Sequence, residues 1–317
     1  MDVHKESITA CIMDRGGNII RQHTFPYNEE SIKAFLFGIS NAEIEIAIEA
    51  CGIWRGVYKL LKELGYKVRL ANPNKTHNIA CRKKTDKVDS RILADLLRTN
   101  YLPEVYIPDE EMLGLRDITR HKSNLTRLRA EIQAKIKGYL LRKGIKYGKI
   151  WNEKALSKLA EDDPDIKNLI NAYWSLKEEE KEVMRRIRKI AKNMRKANLL
   201  MSMPGIGEFS SLILAEIGDI RRFESPKQLI SYAGLCPGIY QSGNTERNVR
   251  NNAVNKWLKW IIYECSGRAT MLDSRFQEYY YKIKQRKGFK TARRAVARKM
   301  LTIIWYTLTN EEPYRNN

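Results

Sequence analysis

The sequence has none of the features that most readily place a protein. No apolar run approaches the roughly 18 residues that cross a bilayer, so no membrane-spanning helix is expected. The chain opens on charged residues (Asp2, Lys5, Glu6), and no secretory signal peptide is expected. Cysteine is sparse: Cys11, Cys51, Cys81, Cys236 and Cys265 are scattered and form no C-x-x-C pair. A structural zinc site is therefore not expected, and the cysteines read as small buried hydrophobes in a reducing compartment. Histidine numbers only 4 and is dispersed. A metal site would have to be built from carboxylates, which favours magnesium or manganese. Acid is also short overall. Lys and Arg total 58 against 37 Asp and Glu, a net charge of +21 over 317 residues. Such an excess implies a polyanionic partner, of which nucleic acid is the commonest. An acidic membrane surface is the rival, without an apolar segment to support it.

What the sequence does have falls into three stretches, expected as domains over 1–105, 106–197 and 198–317. In the first, strand and helix signals alternate. Residues 7–13 and 19–27 read as a hairpin around Asp14-Arg15-Gly16-Gly17. A helix follows over 29–38, a strand over 44–50 ending near Glu49, a helix over 53–64, a strand over 67–72 and a helix over 86–98. This order is that of an α/β sheet domain. In the second stretch, Leu125, Leu128, Ile132, Ile136 and Tyr139 recur at helical spacing, as do Leu169, Tyr173, Leu176, Val183, Ile187 and Ile190. Two long helices paired as a coiled coil are expected. The second is basic, with eight Lys or Arg and one Glu over 181–196; a solvated face and a nucleic-acid contact both fit.

The third stretch is expected to be mostly helical. It opens on Met203-Pro204-Gly205-Ile206-Gly207, which has the form of a helix-hairpin-helix turn whose glycine amides approach a phosphate, and equally that of an ordinary helix–helix turn. Residues 286–299 carry seven Lys or Arg and no acid, among Tyr279, Tyr280, Tyr281, Phe289 and Trp305. Those aromatics fit either base stacking or a core.

Four carboxylates stand out by placement. Asp2 begins a β-type segment, Glu49 ends a strand, and Asp86 and Asp89 share one face of a helix's first turn. In an α/β sheet, strand ends and helix starts converge on one edge. Four acids there would repel unless divalent cations neutralise them, and two metals about 4 Å apart are the usual solution for phosphodiester cleavage. Ordinary surface acids and helix caps are the plainer reading. Against it stands the basic string Arg82-Lys83-Lys84-Thr85-Asp86-Lys87, a setting suited to phosphates.

At this point the sequence resembles a known family. Asp2-Val3-His4-Lys5, Ile48-Glu49-Ala50-Cys51-Gly52 and Lys84-Thr85-Asp86-Lys87-Val88-Asp89 are similar to the motifs of the DEDD transposases of insertion sequences, the IS110 family, related to the Piv DNA invertases. Met203 to Gly207, Phe223, Leu229 to Leu235, Pro237-Gly238 and Gln241-Ser242-Gly243 continue the likeness over nearly the whole chain. The resemblance implies an RNase H-like (RuvC-like) first domain with Asp2, Glu49, Asp86 and Asp89 as a tetrad binding two Mg2+ or Mn2+ ions. It implies a coiled-coil assembly domain, and a C-terminal transposase domain whose Ser242 is a nucleophile forming a phosphoserine link to DNA. It further implies a homo-oligomer, dimer or tetramer, guided by a structured bridge RNA and acting at the nucleoid in a prokaryotic cytoplasm.

Nucleic acid is expected to meet Lys5, Arg82, Lys83, Lys84, Lys87, Gly205, Gly207, Arg247, Arg250, Lys256, Lys290, Arg293, Arg294 and Arg298. Two departures stand out. Family members carry several apolar residues before the first aspartate, whereas Asp2 follows Met1 alone, so a loosely held Asp2 is expected. After Ser242, residues 244–248 lack the glycines common in the family, and Ser242 is expected in a flexible loop. Two other functions use the same residues: a structure-selective nuclease without the serine step, and a non-catalytic nucleic-acid-binding derivative.

Overall fold

The computed structural model describes the chain except residues 41–42, 80–84, 147, 149, 237, 243–244, 250–253 and 316–317, and it describes 238–242 and 245–249 in backbone only. Two compact units result, Met1–Ile107 and Pro108–Asn317.

The first unit is α/β. Strands β1 (Asp2–Val3), β2 (Ser7–Met13) and β3 (Ile19–Pro26) form an antiparallel sheet in that order. Asp2 pairs with Thr9, and β2–β3 runs from Ser7 opposite Pro26 to a bulge at Ile12/Met13. Helix α1 (Glu29–Leu36) is capped by Asn28, whose side chain accepts from the Ser31 amide. Strands β4 (Glu45–Glu49) and β5 (Lys67–Ala71) are parallel, with Glu49 opposite Ala71, and α2 (Trp54–Glu63) connects them. Helices α3 (Pro73–Ile79) and α4 (Asp86–Arg98) follow. Strand β1 lies beside β4, where the Met1 amine donates to Ala47 O at 2.7 Å.

Alternation along the strands decides what lies on each face. Ile8, Ala10, Ile46, Ile48, Val68 and Leu70 are buried in one core with α1 and α2. Ala47 and Ala71 point the other way, into a second core with Leu93 and Leu96 of α4. Their small side chains let that helix approach closely. The result is strands covered on both faces, as the alternating sequence signals imply.

The second unit is mostly helical: α5 (Glu110–Arg142), α6 (Glu153–Asp162), α7 (Pro164–Asn193), α8 (Arg195–Met201), α9 (Glu208–Ala215), a 3-10 turn (Ile220–Arg222), α10 (Pro226–Tyr232), a hairpin of β6 (Gly238–Ser242) and β7 (Thr245–Val249), α11 (Lys256–Leu272) and α12 (Ser274–Asn310). Helices α5 and α7, each roughly 45–50 Å long at 1.5 Å per residue, run antiparallel. Tyr139 of α5 meets Asp163 at the start of α7, while Lys122 and Arg129 meet Glu180 farther along. One end of the pair is closed by α6 around Ile136, Leu140, Leu156, Ile166 and Tyr173. The other end merges into a large core shared with α8 to α12, where Leu115, Ile118, Val183 and Ile187 pack with Leu212, Ile262, Phe276 and Met300. The sequence pattern left α3, α6 and the β6–β7 hairpin unread, since each is short and lacks a long apolar period.

Candidate active site

Strand parity places the first two acids. Met1 and Val3 are buried in the core with α1 and α2, so Asp2 between them faces the α4 side. Glu49 has the parity of Ala47, which faces α4, and sits at the end of β4. In α4, Asp86, Asp89, Leu93 and Leu96 fall at i, i+3, i+7 and i+10, one stripe that meets the sheet. Its lower part is apolar and buried, and its first turn is acidic. The helix starts where it does because Thr85 is extended and its hydroxyl accepts from the Val88 amide. The positive end of the helix dipole then favours carboxylates at Asp86 and Asp89.

The side chains meet at His4. Its Nε2 lies 3.3 Å from Asp2 Oδ2 and 3.5 Å from Asp86 Oδ2. These three groups each offer a ligand atom, all within 4.8 Å of one another. Asp2 is the sheltered member, with 14% of its side chain exposed against 57% for Asp86. Asp2 is firmly held, by its ladder position opposite Thr9 on one side and by the neighbouring Met1–Ala47 bond on the other. Burial lowers the Met1 amine to a pKa of about 6, while the nearby charges of Asp2, Cys11 and Glu49 oppose that shift. Two carboxylate oxygens and an imidazole nitrogen converging on an open edge suit a divalent cation of the magnesium or manganese kind. His4 stands outside the set of metal-binding acids that the sequence suggested. A histidine two residues after an aspartate carries no signal alone; only strand alternation, which puts i and i+2 on one side, pointed to it.

The other residues expected at the site are distributed as follows. Lys5 and Lys87 are exposed. Arg82, Lys83, Lys84 and Arg250 lie outside the described residues, and Arg247 is described in backbone only. Ser242 belongs to the second unit. It ends β6, opposite Thr245, so its backbone is part of a hairpin ladder where a loop was expected. Lys256 is exposed at the start of α11, whose cap is Asn255.

The Met203–Gly207 turn joins α8 to α9. Gly205 has φ +85°, and a Cβ there would lie 2.7 Å from Ala269 N and Cys265 O of α11, so this glycine serves close packing. Gly207 is the α9 cap, its amide donating to Ser210 Oγ, and space is open around it. Lys290 and Arg294 are exposed. Arg293 donates to Tyr263 O and lies 3.7 Å from Glu264, while Arg298 donates to Leu235 O at 2.7 Å. Both therefore have a part in internal packing. The aromatics divide: Tyr279, Tyr280 and Trp305 pack against the core, whereas Tyr281 and Phe289 are exposed.

Two family models match the chain. A family model of the IS110 DEDD type, described as a transposase, matches residues 1–144, and a second, described as a transposase of the IS116/IS110/IS902 family, matches residues 197–281. The chain belongs to the IS110 family of transposases. Among curated relatives of this IS110 transposase is the transposase for insertion sequence element IS1111A of Coxiella burnetii, 23% identical over 99% of this chain and 90% of the relative. The pilin gene-inverting protein of Moraxella bovis is 26% identical over 99% of this chain and 96% of its own length. The putative transposase y4qE of Sinorhizobium fredii is 28% identical over 67% of this chain, a match that spans 55% of that protein. No described helix of this transposase is long and apolar enough to cross a membrane.

Proposed function

We propose that this IS110 transposase cuts and rejoins DNA with a divalent-metal site formed by Asp2, Glu49, Asp86 and Asp89 and with Ser242 as the nucleophile. The observation that carries the reading is the convergence of Asp2, from the start of the first unit, and Asp86, from its last helix, on one imidazole. The layout of that unit supports an RNase H-like (RuvC-like) reading. An antiparallel β1–β3 sheet lies beside a parallel β4–β5 pair, and the acids sit on β1, at the end of β4 and in the first turn of α4.

When bound, Mg2+ or Mn2+ supplies Lewis acidity and stabilises negative charge on the reacting phosphate. Asp2, Glu49, Asp86 and Asp89 would hold the ions, with His4 as a further ligand, while Lys5 and Lys87 would attract the DNA backbone. The Ser242 hydroxyl gives up its proton, its oxygen bonds to phosphorus, and a deoxyribose oxygen leaves carrying a proton. Attack by another deoxyribose hydroxyl reverses the step, restores the serine and rejoins DNA without ATP, because the phosphoester bond is conserved. A structured bridge RNA selects the DNA partners, and the α5–α7 pair serves assembly of a homo-oligomer at the nucleoid. The name of the Moraxella relative, a gene-inverting protein, supports recombination over simple cleavage.

The test is to trap the protein–DNA product and identify the modified residue by mass spectrometry, using element-junction DNA, Mg2+ and RNA transcribed from the element's flanking region. Phosphodeoxynucleotide on Ser242 is the expected result. Cleavage with no adduct, unchanged in Ser242→Ala, would make the chain a metal-dependent nuclease. Binding with neither product would make it a non-catalytic derivative.

A further inference from the structure

Helix α12, in the second unit, does not run straight. Gly288 interrupts it with φ +75° and ψ +168°, values outside the helical region. Lys299 Nζ lies 4.9 Å from the Tyr279 ring centroid and 5.8 Å from that of Phe276. In a straight helix, residues 279 and 299 would be about 30 Å apart. The chain therefore doubles back at Gly288, and α12 is a helical hairpin whose tip is this glycine. No side chain crowds Gly288, so its backbone conformation, rather than space, requires glycine.

The composition of the tip is one-sided. From Tyr279 to Asn310 there is no acidic residue. Every residue from Lys284 to Thr291 is exposed. Arg286, Lys287, Lys290 and Arg294 meet no carboxylate of the described residues, whereas Arg293 and Arg298 are committed to internal carbonyls. Phe289, directly after the turn, is 52% exposed, and Tyr281 is 50% exposed. A protein core gains nothing from a phenylalanine at the end of a projecting hairpin ringed by cations. A nucleotide with an unpaired base gains from both, because its phosphates meet the cations and its base stacks on the ring.

We propose that the α12 hairpin tip is a nucleic-acid wedge that binds unpaired nucleotides, with Phe289 stacking on a base and Arg286, Lys287 and Lys290 holding the adjoining phosphates. The proposal rests on the reading that the chain acts on nucleic acid, and is independent of the metal site and of Ser242. Unpaired nucleotides are favoured over intact duplex because opening a base step for a side chain costs a few kcal/mol, which a bulge or single strand has already lost. The same chemistry is available from a DNA strand or from an RNA loop.

The experiment uses the full chain and fluorescent oligonucleotides of one sequence: single-stranded DNA, single-stranded RNA and blunt duplex DNA, with 2-aminopurine as the base probe. Phe289→Ala is expected to weaken single-strand binding about 5- to 100-fold and to abolish 2-aminopurine quenching, while leaving duplex affinity and the salt slope unchanged. Phe289→Trp is expected to restore both losses. Lys287→Ala with Lys290→Ala is expected to reduce the slope of log affinity against log salt by about 1.4, at ~0.7 per phosphate contact. The DNA and RNA arms decide which strand the wedge prefers. Because Phe289 is exposed, folding is checked simply by a circular-dichroism melt. Single-strand affinity and quenching unchanged in Phe289→Ala, or no single-strand binding by the native chain, would overturn the proposal. Adduct formation at Ser242 reports the recombinase reading separately, so either can fail alone.

Discussion

Asp2, His4 and Asp86 come from two places in the sequence, which suggested a shared site for the two aspartates and not for the histidine. The aspartates belong to spaced motifs and to a helix start; the histidine is a single residue on a strand edge. The convergence makes a residue-scale prediction. Three groups whose ligand atoms all lie within 4.8 Å of one another should gain stability when a cation binds them. Mn2+ should raise the melting temperature of the native chain, and Asp86→Asn should remove that rise. His4→Ala should weaken Mn2+ binding about tenfold while changing Mg2+ less, since imidazole suits manganese better than magnesium. Titration followed by manganese electron paramagnetic resonance measures this; equal Mn2+ affinity in native chain and His4→Ala would remove His4 from the ligand set. A second residue-scale prediction concerns Lys196, which donates to Gly218 O. Burial lowers its pKa to about 8, against the opposing pull of Asp219 and Asp109. Its unfolded value is 10.5, so between pH 8 and 10.5 the unfolded chain holds the extra proton and rising pH favours the fold. Relative to Lys196→Met, the native chain should gain roughly 3 kcal/mol across that window. Urea titrations at pH 7.5 and 10.5 read it, and a difference independent of pH would contradict it.

At the scale of elements, the long helices and the alternating strands were readable because each repeats its period several times. The short elements were not. Residues 238–249 carry polar and charged side chains that match neither period, so a hairpin ladder was unreadable and a loop was expected. The Pro-Gly-Ile-Gly turn is the instructive case. Its residues fit a phosphate cradle, yet Gly205 is dictated by its approach to the α11 backbone, a contact between segments about sixty residues apart that no local pattern encodes. Gly205→Ala should therefore destabilise the second unit by about 2–4 kcal/mol through strain and overpacking, seen as a melting temperature lower by roughly 5–15 °C. A drop under 2 °C would mean that α11 yields freely. A buried ion pair likewise joins segments far apart in sequence. Glu216, 2% exposed, accepts from both guanidinium nitrogens of Arg120 and from the Thr119 hydroxyl, and Arg120 lies 4.1 Å from the Trp257 ring centroid. That cluster ties α5 to α9 and α11. Along α7, Glu180 plays a similar part. Burial raises its pKa, but bonds from Thr126 and Arg129 outweigh this and hold it below the usual carboxylate range.

For the molecule as a whole, the net charge of +21 was the most accessible fact and the least specific. It pointed to a polyanion and could not say which surface meets it. The structure sorts the cations by occupation: Arg120, Arg293 and Arg298 are bound to carbonyls, carboxylates or rings, while those at the tip of α12 face solvent. Charge counts cannot make that distinction, because it depends on what packs nearby. The acids lie in the first unit and Ser242 in the second, and the proposed covalent step requires both. The decisive measurement is formation of a denaturation-resistant protein–DNA adduct, in Mg2+ with guide RNA and element-junction DNA, by the native chain, Asp86→Asn and Ser242→Ala. An adduct is expected from the native chain alone, with both variants reduced at least about a hundredfold. An adduct undiminished in either variant would contradict this, showing that the acids and the serine do not serve the same reaction.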